Sequence, residues 1–331
     1  MNRKQFGNSG LLVTPIGLGM AALGRPGYIN LGHAEDLAHD YDIDAMERHA
    51  HDVLDAAWSA GVRYYDAARS YGRAEAFLGS WLASRQISPT DVAIGSKWGY
   101  IYTADWQVEA DKHEIKDHRL PVLNRQIRES RELLGKYLNL YQIHSATLES
   151  GVLDNLPVLD ALADLRRDGL TIGLSLSGPK QAETLRRALT TQPDGVPLFG
   201  SVQATWNILA QEVGPALKEA HQSGMGVILK EVLANGRLTT RNQDPSFRDA
   251  YGLLVEMATE LETTVDALAM AAAMAQPWAD IVLSGAARVE HLRSNLQAGH
   301  IDLNSNQLAR LLHLKEPADV YWELRGRLEW N

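Results

Sequence analysis

The chain has 331 residues, of which 45% are hydrophobic and 22% are charged, and its formal net charge is −9 at pH 7. This composition is typical of a globular protein, and a general nucleic-acid-binding surface is not expected at this negative charge. There is no cysteine, which excludes disulfides, thiolate nucleophiles and cysteine-ligated zinc.

The first residues lack the apolar segment of a signal peptide, and no apolar run reaches the length of a membrane span. We therefore expect a cytoplasmic protein that does not contact a membrane. The length lies within the range of a (β/α)8 barrel with insertions.

Short β-rich runs alternate with amphipathic helical stretches along the chain. Near-continuous apolar runs are typical of parallel strands that are covered on both faces, and eight are predicted, at 14–18, 62–65, 92–96, 138–143, 170–175, 201–204, 226–229 and 281–283. Helices are predicted between and after them at 45–59, 75–84, 123–134, 156–167, 180–189, 213–223, 250–261 and 289–298.

Strands that alternate with helices predict a parallel sheet. Eight such units favour closure into a (β/α)8 TIM barrel that forms a single domain over 1–331, and an open doubly wound sheet is the alternative. Insertions at 25–42, 100–120 and 238–248 interrupt the pattern, and an extra helix near 306–314 and an aromatic tail at 321–330 follow it. In a barrel of this kind, the loops after the strands build the active site.

Four polar residues lie at or just after the ends of three successive predicted strands. Asp66 ends the second strand, Tyr71 lies in the loop after it, Lys97 ends the third and His144 ends the fourth. Carbonyl reduction needs a proton donor, and a tyrosine, whose free pKa is about 10, can serve when a neighbouring ammonium lowers that value. Each residue taken singly has an ordinary structural role, but their shared position at one rim predicts a catalytic group.

Two segments carry a resemblance to a known family. Residues 6–14 resemble the N-terminal hairpin of the aldo-keto reductase superfamily, and residues 66–75 are similar to its signature, with Asp66 and Tyr71 five positions apart. The resemblance runs almost end to end. It implies an NAD(P)H-dependent oxidoreductase that interconverts a carbonyl and an alcohol, with Asp66, Tyr71, Lys97 and His144 as the catalytic tetrad and Tyr71 as its general acid.

The resemblance also implies a set of cofactor contacts. It places Ser175 and Gln203 on the nicotinamide carboxamide, and Asn295 on the adenine. Lys230, Leu233, Asn235, Gly236, Ser284 and Gly285 fall in segments that meet the nicotinamide or the phosphates, and Arg288 falls where relatives bind a 2′-phosphate. Leu176 stands where many relatives have Asn. The expected cofactor is NADP, and NAD remains open.

The expected substrate is a small carbonyl compound or a sugar, as in the bacterial aldose-dehydrogenase-like members that the chain resembles. Tyr28, Trp98 and Trp206 are the expected aromatic walls, and Tyr321 and Trp322 are expected to close the site. No metal site is expected. The alternative function is a cofactor-binding regulatory subunit of an ion channel or another partner, with vestigial activity, because an intact tetrad fits both functions.

Overall fold

The computed structural model describes residues 1–331, and twelve strands form one closed barrel and two small hairpins. The strands are β1 Lys4–Gln5, β2 Leu12–Val13, β3 Ile16–Gly19, β4 Tyr64–Asp66, β5 Ala93–Trp98, β6 Tyr100–Tyr102, β7 Glu114–Lys116, β8 Leu138–Ala146, β9 Thr171–Leu176, β10 Ser201–Thr205, β11 Gly226–Lys230 and β12 Ile281–Ser284.

Twelve α-helices accompany the strands, and none of them is both long and apolar enough to cross a bilayer. The helices are α1 His33–Asp36, α2 Ile43–Ser59, α3 Ala74–Ser84, α4 Leu120–Leu134, α5 Leu156–Arg167, α6 Gln181–Leu189, α7 Gly214–Gln222, α8 Arg248–Glu260, α9 Val265–Met274, α10 Val289–Leu296, α11 Ser305–Leu312 and α12 Ala318–Gly326.

The barrel consists of parallel strands that follow one another in chain order, and β12 closes it by pairing with β3. All eight predicted strands are present within a few residues of their expected bounds, so the predicted (β/α)8 barrel is confirmed and the open-sheet alternative is wrong. A cluster of 64 buried residues, drawn from the strands and the helices, forms the main core.

One helix of the barrel was not predicted. Eight of the ten residues of α9 are buried, so its sequence has no polar face from which a helical period could be seen. Helix α9 lies against β12, whereas α8, the helix predicted for this unit, packs against α9.

The β1–β2 hairpin closes the amino end of the barrel. Phe6, which follows β1, is buried in one cluster with Tyr64, Leu140 and Ile228. Gly226 has to be a glycine here, because a Cβ at that position would lie 2.4 Å from the ring of Phe6. The open end of the barrel is therefore the carboxyl end, where the predicted catalytic residues lie.

The insertions and the tail meet over that open end. Tyr28 and Asn331 exchange two backbone hydrogen bonds of 3.1 Å, and the Leu31 amide donates to the Asn235 carbonyl at 3.1 Å. The segment after β3, the segment after β11 and the end of the chain are thereby joined into one cover.

Candidate active site

The structure brings Asp66, Lys97 and Tyr71 together at the carboxyl rim. Asp66 ends β4 and pairs with Gly95 of β5, which places Lys97 two residues further along the neighbouring strand, on the same face. The Lys97 ammonium donates to the Asp66 carboxylate and, at 2.9 Å, to the Ala67 carbonyl. Its Nζ lies 3.5 Å from the Tyr71 hydroxyl, and Asp66 and Lys97 are both buried.

His144, on β8, completes the group. Its ring meets the Tyr71 ring edge-on, with the centroids 5.4 Å apart, and its Nδ1 lies 3.4 Å from the Ser70 hydroxyl. Burial first, and then the positive charges of Lys97 and Lys230, hold the pKa of His144 well below its ordinary value. The imidazole is therefore neutral at physiological pH and can orient a carbonyl oxygen by a hydrogen bond.

The electrostatic environment of Tyr71 differs from the expectation. Burial, followed by the Asp66 carboxylate, raises the pKa of Tyr71 well above its ordinary value, and Arg25 partly opposes this. The net shift is opposite to the lowering expected from a neighbouring ammonium, because burial and the Asp66 carboxylate, which is in contact with Lys97, together raise the pKa. Tyr71 is thus protonated at neutral pH, which is the form that a proton donor requires.

A cavity of about 520 Å³ runs beside this group and continues towards the loop after β12. Asp66, Tyr71 and His144 line one part of it. Of the residues predicted to contact the cofactor, the following also line it: Gln203, Lys230, Leu233, Asn235, Gly236, Ser284, Gly285 and Asn295.

Two predicted cofactor residues lie elsewhere. Ser175 is fully buried and does not line the cavity, and its hydroxyl accepts a 2.9 Å hydrogen bond from the Ser145 amide. Arg288 is about half exposed and forms an ion pair with Glu290 at 3.4 Å, and it does not line the cavity. Arg241 lines the cavity instead, and His291 lies at its wall beside the same carboxylate, that of Asp36.

The predicted aromatic walls are only partly in place. Tyr28 lines the cavity, but Trp98 and Trp206 are buried in the core. Trp98 follows Lys97 on β5, and successive side chains of a strand point to opposite faces, so it packs against His118 instead. Trp206 packs edge-on against Trp278, with the centroids 5.7 Å apart.

The tail closes the cavity with residues other than those expected. Tyr321 is buried, and its hydroxyl accepts a 2.9 Å hydrogen bond from Asn207, while Trp322 packs against the same hydrophobic cluster. The residues of the tail that line the cavity are Arg325, Gly326, Leu328 and Trp330.

Several charged residues that were not predicted to have a functional role also line the cavity. Arg325 donates to Glu231 at 3.0 Å, and Arg241 forms an ion pair with Asp36 across the cover. Arg25 and Glu114 form a further pair at 3.0 Å. In the sequence, only a position in an insertion, in the tail or directly beside Lys230 points to these residues as part of the cavity wall. Charged residues in such segments are ordinarily solvent-exposed, so they could not be predicted to line it.

The residues around the cavity fit a nicotinamide dinucleotide. Asn235 Oδ1 is buried and has no hydrogen-bond partner. No atom lies within 4 Å of a Cβ built on Gly285, so its backbone is open to the cavity. Asn295 donates to the Ser284 hydroxyl at 2.8 Å, which fixes both side chains at the cavity wall. These residues offer the polar contacts that such a cofactor needs.

Comparisons with known proteins agree with this arrangement. The sequence model of the Aldo/keto reductase family matches residues 15–316. The chain is 24% identical to the uncharacterized oxidoreductase YqkF of Bacillus subtilis (strain 168), over 97% of this chain and 98% of that protein. It is also 24% identical to the aldo-keto reductase str7 of Strobilurus tenacellus, over 96% and 93% of the two chains.

A solved structure shows the same fold. The aldo-keto reductase AKR11C1 from Bacillus halodurans, in its holo form, superposes with a TM-score of 0.72 at 21% identity, over 96% of this chain and 97% of that one. With the family model matching most of its length and the barrel closed as described, this chain belongs to the aldo-keto reductase family of NAD(P)-dependent oxidoreductases.

Proposed function

We propose that this protein reduces the carbonyl group of a small molecule at the cavity, with Tyr71 as the proton donor. The observation that carries the proposal is the position of the Tyr71 hydroxyl. Tyr71 lines the cavity, its hydroxyl lies 3.5 Å from Lys97 Nζ, and the neutral His144 lies beside its ring.

Each member of the tetrad has a role that follows from its contacts. A nicotinamide dinucleotide, when bound in the cavity, would be the source of the hydride that the carbonyl carbon needs. His144 donates a hydrogen bond to the carbonyl oxygen, and Tyr71 transfers its phenolic proton to the same oxygen. Lys97 then stabilises the phenolate that remains, and Asp66 holds the Lys97 ammonium in place.

The residues that would hold the cofactor are the predicted contact residues that line the cavity, namely Gln203, Lys230, Leu233, Asn235, Gly236, Ser284, Gly285 and Asn295. We propose NADP as the preferred cofactor. A 2′-phosphate needs a cation, and two arginines compete for this role. Arg241, which is paired with Asp36, lines the cavity, whereas Arg288, which is paired with Glu290, does not.

The proposed substrate is small and partly planar. Tyr28 and Trp330 line the cavity and contact each other edge-on, with the centroids 6.4 Å apart, so they form an aromatic wall on the side of the cover. Such a wall suits the carbon skeleton of an aromatic aldehyde or the apolar face of a sugar.

The test is steady-state turnover with a panel of aldehydes, ketones and sugars, followed by the absorbance of the reduced nicotinamide with NADPH and with NADH. Sustained turnover of at least one class is expected. Tight cofactor binding without multiple turnovers on any member of the panel would contradict the proposal.

A further inference from the structure

Arg25 is a buried cation beside the proposed proton donor. It lies in the insertion after β3, its side chain is 3% exposed, and it lines the cavity. The guanidinium carbon lies 5.2 Å from the centre of the Tyr71 ring, 5.0 Å from that of Tyr28 and 4.7 Å from that of Trp330. Three aromatic rings thus surround the guanidinium beside the proposed proton donor.

The hydrogen-bonding capacity of Arg25 is only partly used. Its Nη1 donates to the Ser70 carbonyl and to Glu114 Oε2, both at 3.0 Å, whereas its Nε is buried and has no acceptor. A guanidinium stays charged at every physiological pH and carries five donor N–H groups. Leaving one of them buried and unpaired is unfavourable, so an acceptor that arrives with the substrate would be stabilised here.

The charges around Tyr71 also favour an anion. Four cations, Arg25, Lys97, Lys230 and Arg325, meet only three carboxylates, Asp66, Glu114 and Glu231. Asp66 is in contact with Lys97, and Arg325 and Lys230 share Glu231. The carboxylate of Glu114 contacts Arg25 through a single nitrogen and is 23% exposed, so it can turn towards solvent.

We propose that Arg25 binds a carboxylate of the substrate, so that the preferred substrates are aldehydes or ketones that carry a carboxylate a few bonds from the carbonyl. This inference rests on the proposed function, since it places that carbonyl at Tyr71. A carboxylate matches the planar fork of a guanidinium and can accept from Nε and a terminal nitrogen together. Tyr28 and Trp330 then flank the carbon skeleton that connects the carboxylate at Arg25 with the carbonyl at Tyr71.

Matched substrate pairs test the proposal. The probes are 2- and 4-carboxybenzaldehyde, each measured against its methyl ester with the holoenzyme. Wild-type protein should show a higher kcat/KM for the acid than for the ester in at least one pair. Arg25→Gln should lower kcat/KM for that acid by roughly 10- to 100-fold, the effect of one charge-assisted hydrogen bond, and should change the value for the ester by less than about 3-fold.

Because Arg25 is buried, Arg25→Gln alone does not separate a loss of substrate binding from a disturbed fold. Two further variants therefore test the proposal. Arg25→Lys keeps the charge but loses the fork, and should give an intermediate preference for the acid. Glu114→Gln removes the competing carboxylate, and should increase kcat/KM for the acid relative to the ester. Arg85→Gln is the matched control, because Arg85 is an exposed arginine paired with Asp55, and it should leave the preference unchanged.

A binding measurement separates this inference from the proposed function. Benzoate and benzamide are titrated calorimetrically into the protein with oxidised cofactor present, which requires no turnover. Benzoate should bind more tightly than benzamide to wild type but not to Arg25→Gln. If that holds while no carbonyl compound is reduced, the proposed function fails and the anion site stands. If turnover is normal but Arg25→Gln changes kcat/KM equally for the acid and for its ester, the anion site is wrong and the proposed function stands.

Discussion

Gln203 of β10 donates from Nε2 to Asp66 Oδ1 at 2.9 Å, across the interior of the barrel. The same oxygen receives the Tyr64 hydroxyl at 3.2 Å and Gln142 Nε2 at 3.3 Å, while the other oxygen receives Lys97. The Asp66 side chain therefore accepts hydrogen bonds from four donors in a buried site. Because Gln203 also lines the cavity, it connects the expected nicotinamide site directly to the tetrad.

Lys97→Met should strongly destabilise the protein. The substitution leaves the Asp66 carboxylate buried without its cation, and breaking a buried pair in this way costs about 3–5 kcal/mol. Urea unfolding measures the loss. The double variant Asp66→Asn/Lys97→Met should recover part of this free energy of unfolding but no activity. A Lys97→Met protein that unfolds at the wild-type urea concentration would show that the pair is not important for stability.

Tyr71→Phe should lose roughly 10²–10⁴-fold in kcat, because the proposed proton donor is removed. The cofactor dissociation constant should stay near the wild-type value, as measured by fluorescence titration, since the ring is retained. Turnover within a few-fold of wild type would exclude Tyr71 as the acid.

The rate of reduction should not decline as the pH rises towards 9. A proton donor stops working when the pH passes its pKa, and burial and Asp66 raise the pKa of Tyr71 well above its ordinary value. A profile of kcat/KM against pH with saturating cofactor checks this. A decline with a midpoint below about pH 9 would mean that Lys97 and the bound cofactor lower the pKa more than burial raises it.

Cofactor preference should depend on Arg241 more than on Arg288. Arg241→Ala should weaken NADPH binding by roughly 10-fold or more and NADH binding much less, because only NADPH carries the 2′-phosphate. Arg288→Ala should have a small effect, since this side chain is half exposed and does not line the cavity. Dissociation constants of both cofactors for both variants are the measurement. The opposite order would support the assignment made from the sequence resemblance.

Acid should destabilise the fold through buried histidines. Burial lowers the pKa of His118 and of His33 to about 4. Unfolding restores a value of about 6.5, so the unfolded chain binds protons first and stability is lost as the pH falls below about 6.5. Each histidine should contribute a loss of about 2 kcal/mol by pH 5.

Urea unfolding at pH 7.5 and pH 5 measures this acid sensitivity. His118→Gln should be less stable than wild type at pH 7.5, because His118 Nε2 bonds to the His144 carbonyl at 2.9 Å. Its loss of stability between the two pH values should nevertheless be smaller. Equal losses in the two proteins would mean that His118 does not contribute to the acid sensitivity.

The strands, and the rim positions of the residues proposed to be catalytic, could be predicted from the sequence because local patterns encode them. Each barrel strand is a short apolar run bounded by turns, and the carboxyl ends of parallel strands meet at one rim, so the strand positions also placed Asp66, Lys97 and His144. Helix α9 could not be predicted from such a pattern, because nearly all its faces are buried and its apolar residues show no helical period.

The composition of the cavity wall could not be read in this way. Trp98 and Trp206 are aromatic residues near the rim in sequence, yet their side chains pack into the core, and Arg25, Glu114 and Arg325 are charged residues of insertions that fold inward. Arg25 becomes a buried cation only because Tyr28, Tyr71 and Trp330 surround it, and Trp330 lies 305 positions further along the chain. Periodicity reports which face of a strand or helix is buried, whereas the path of an insertion depends on long-range contacts that have no period.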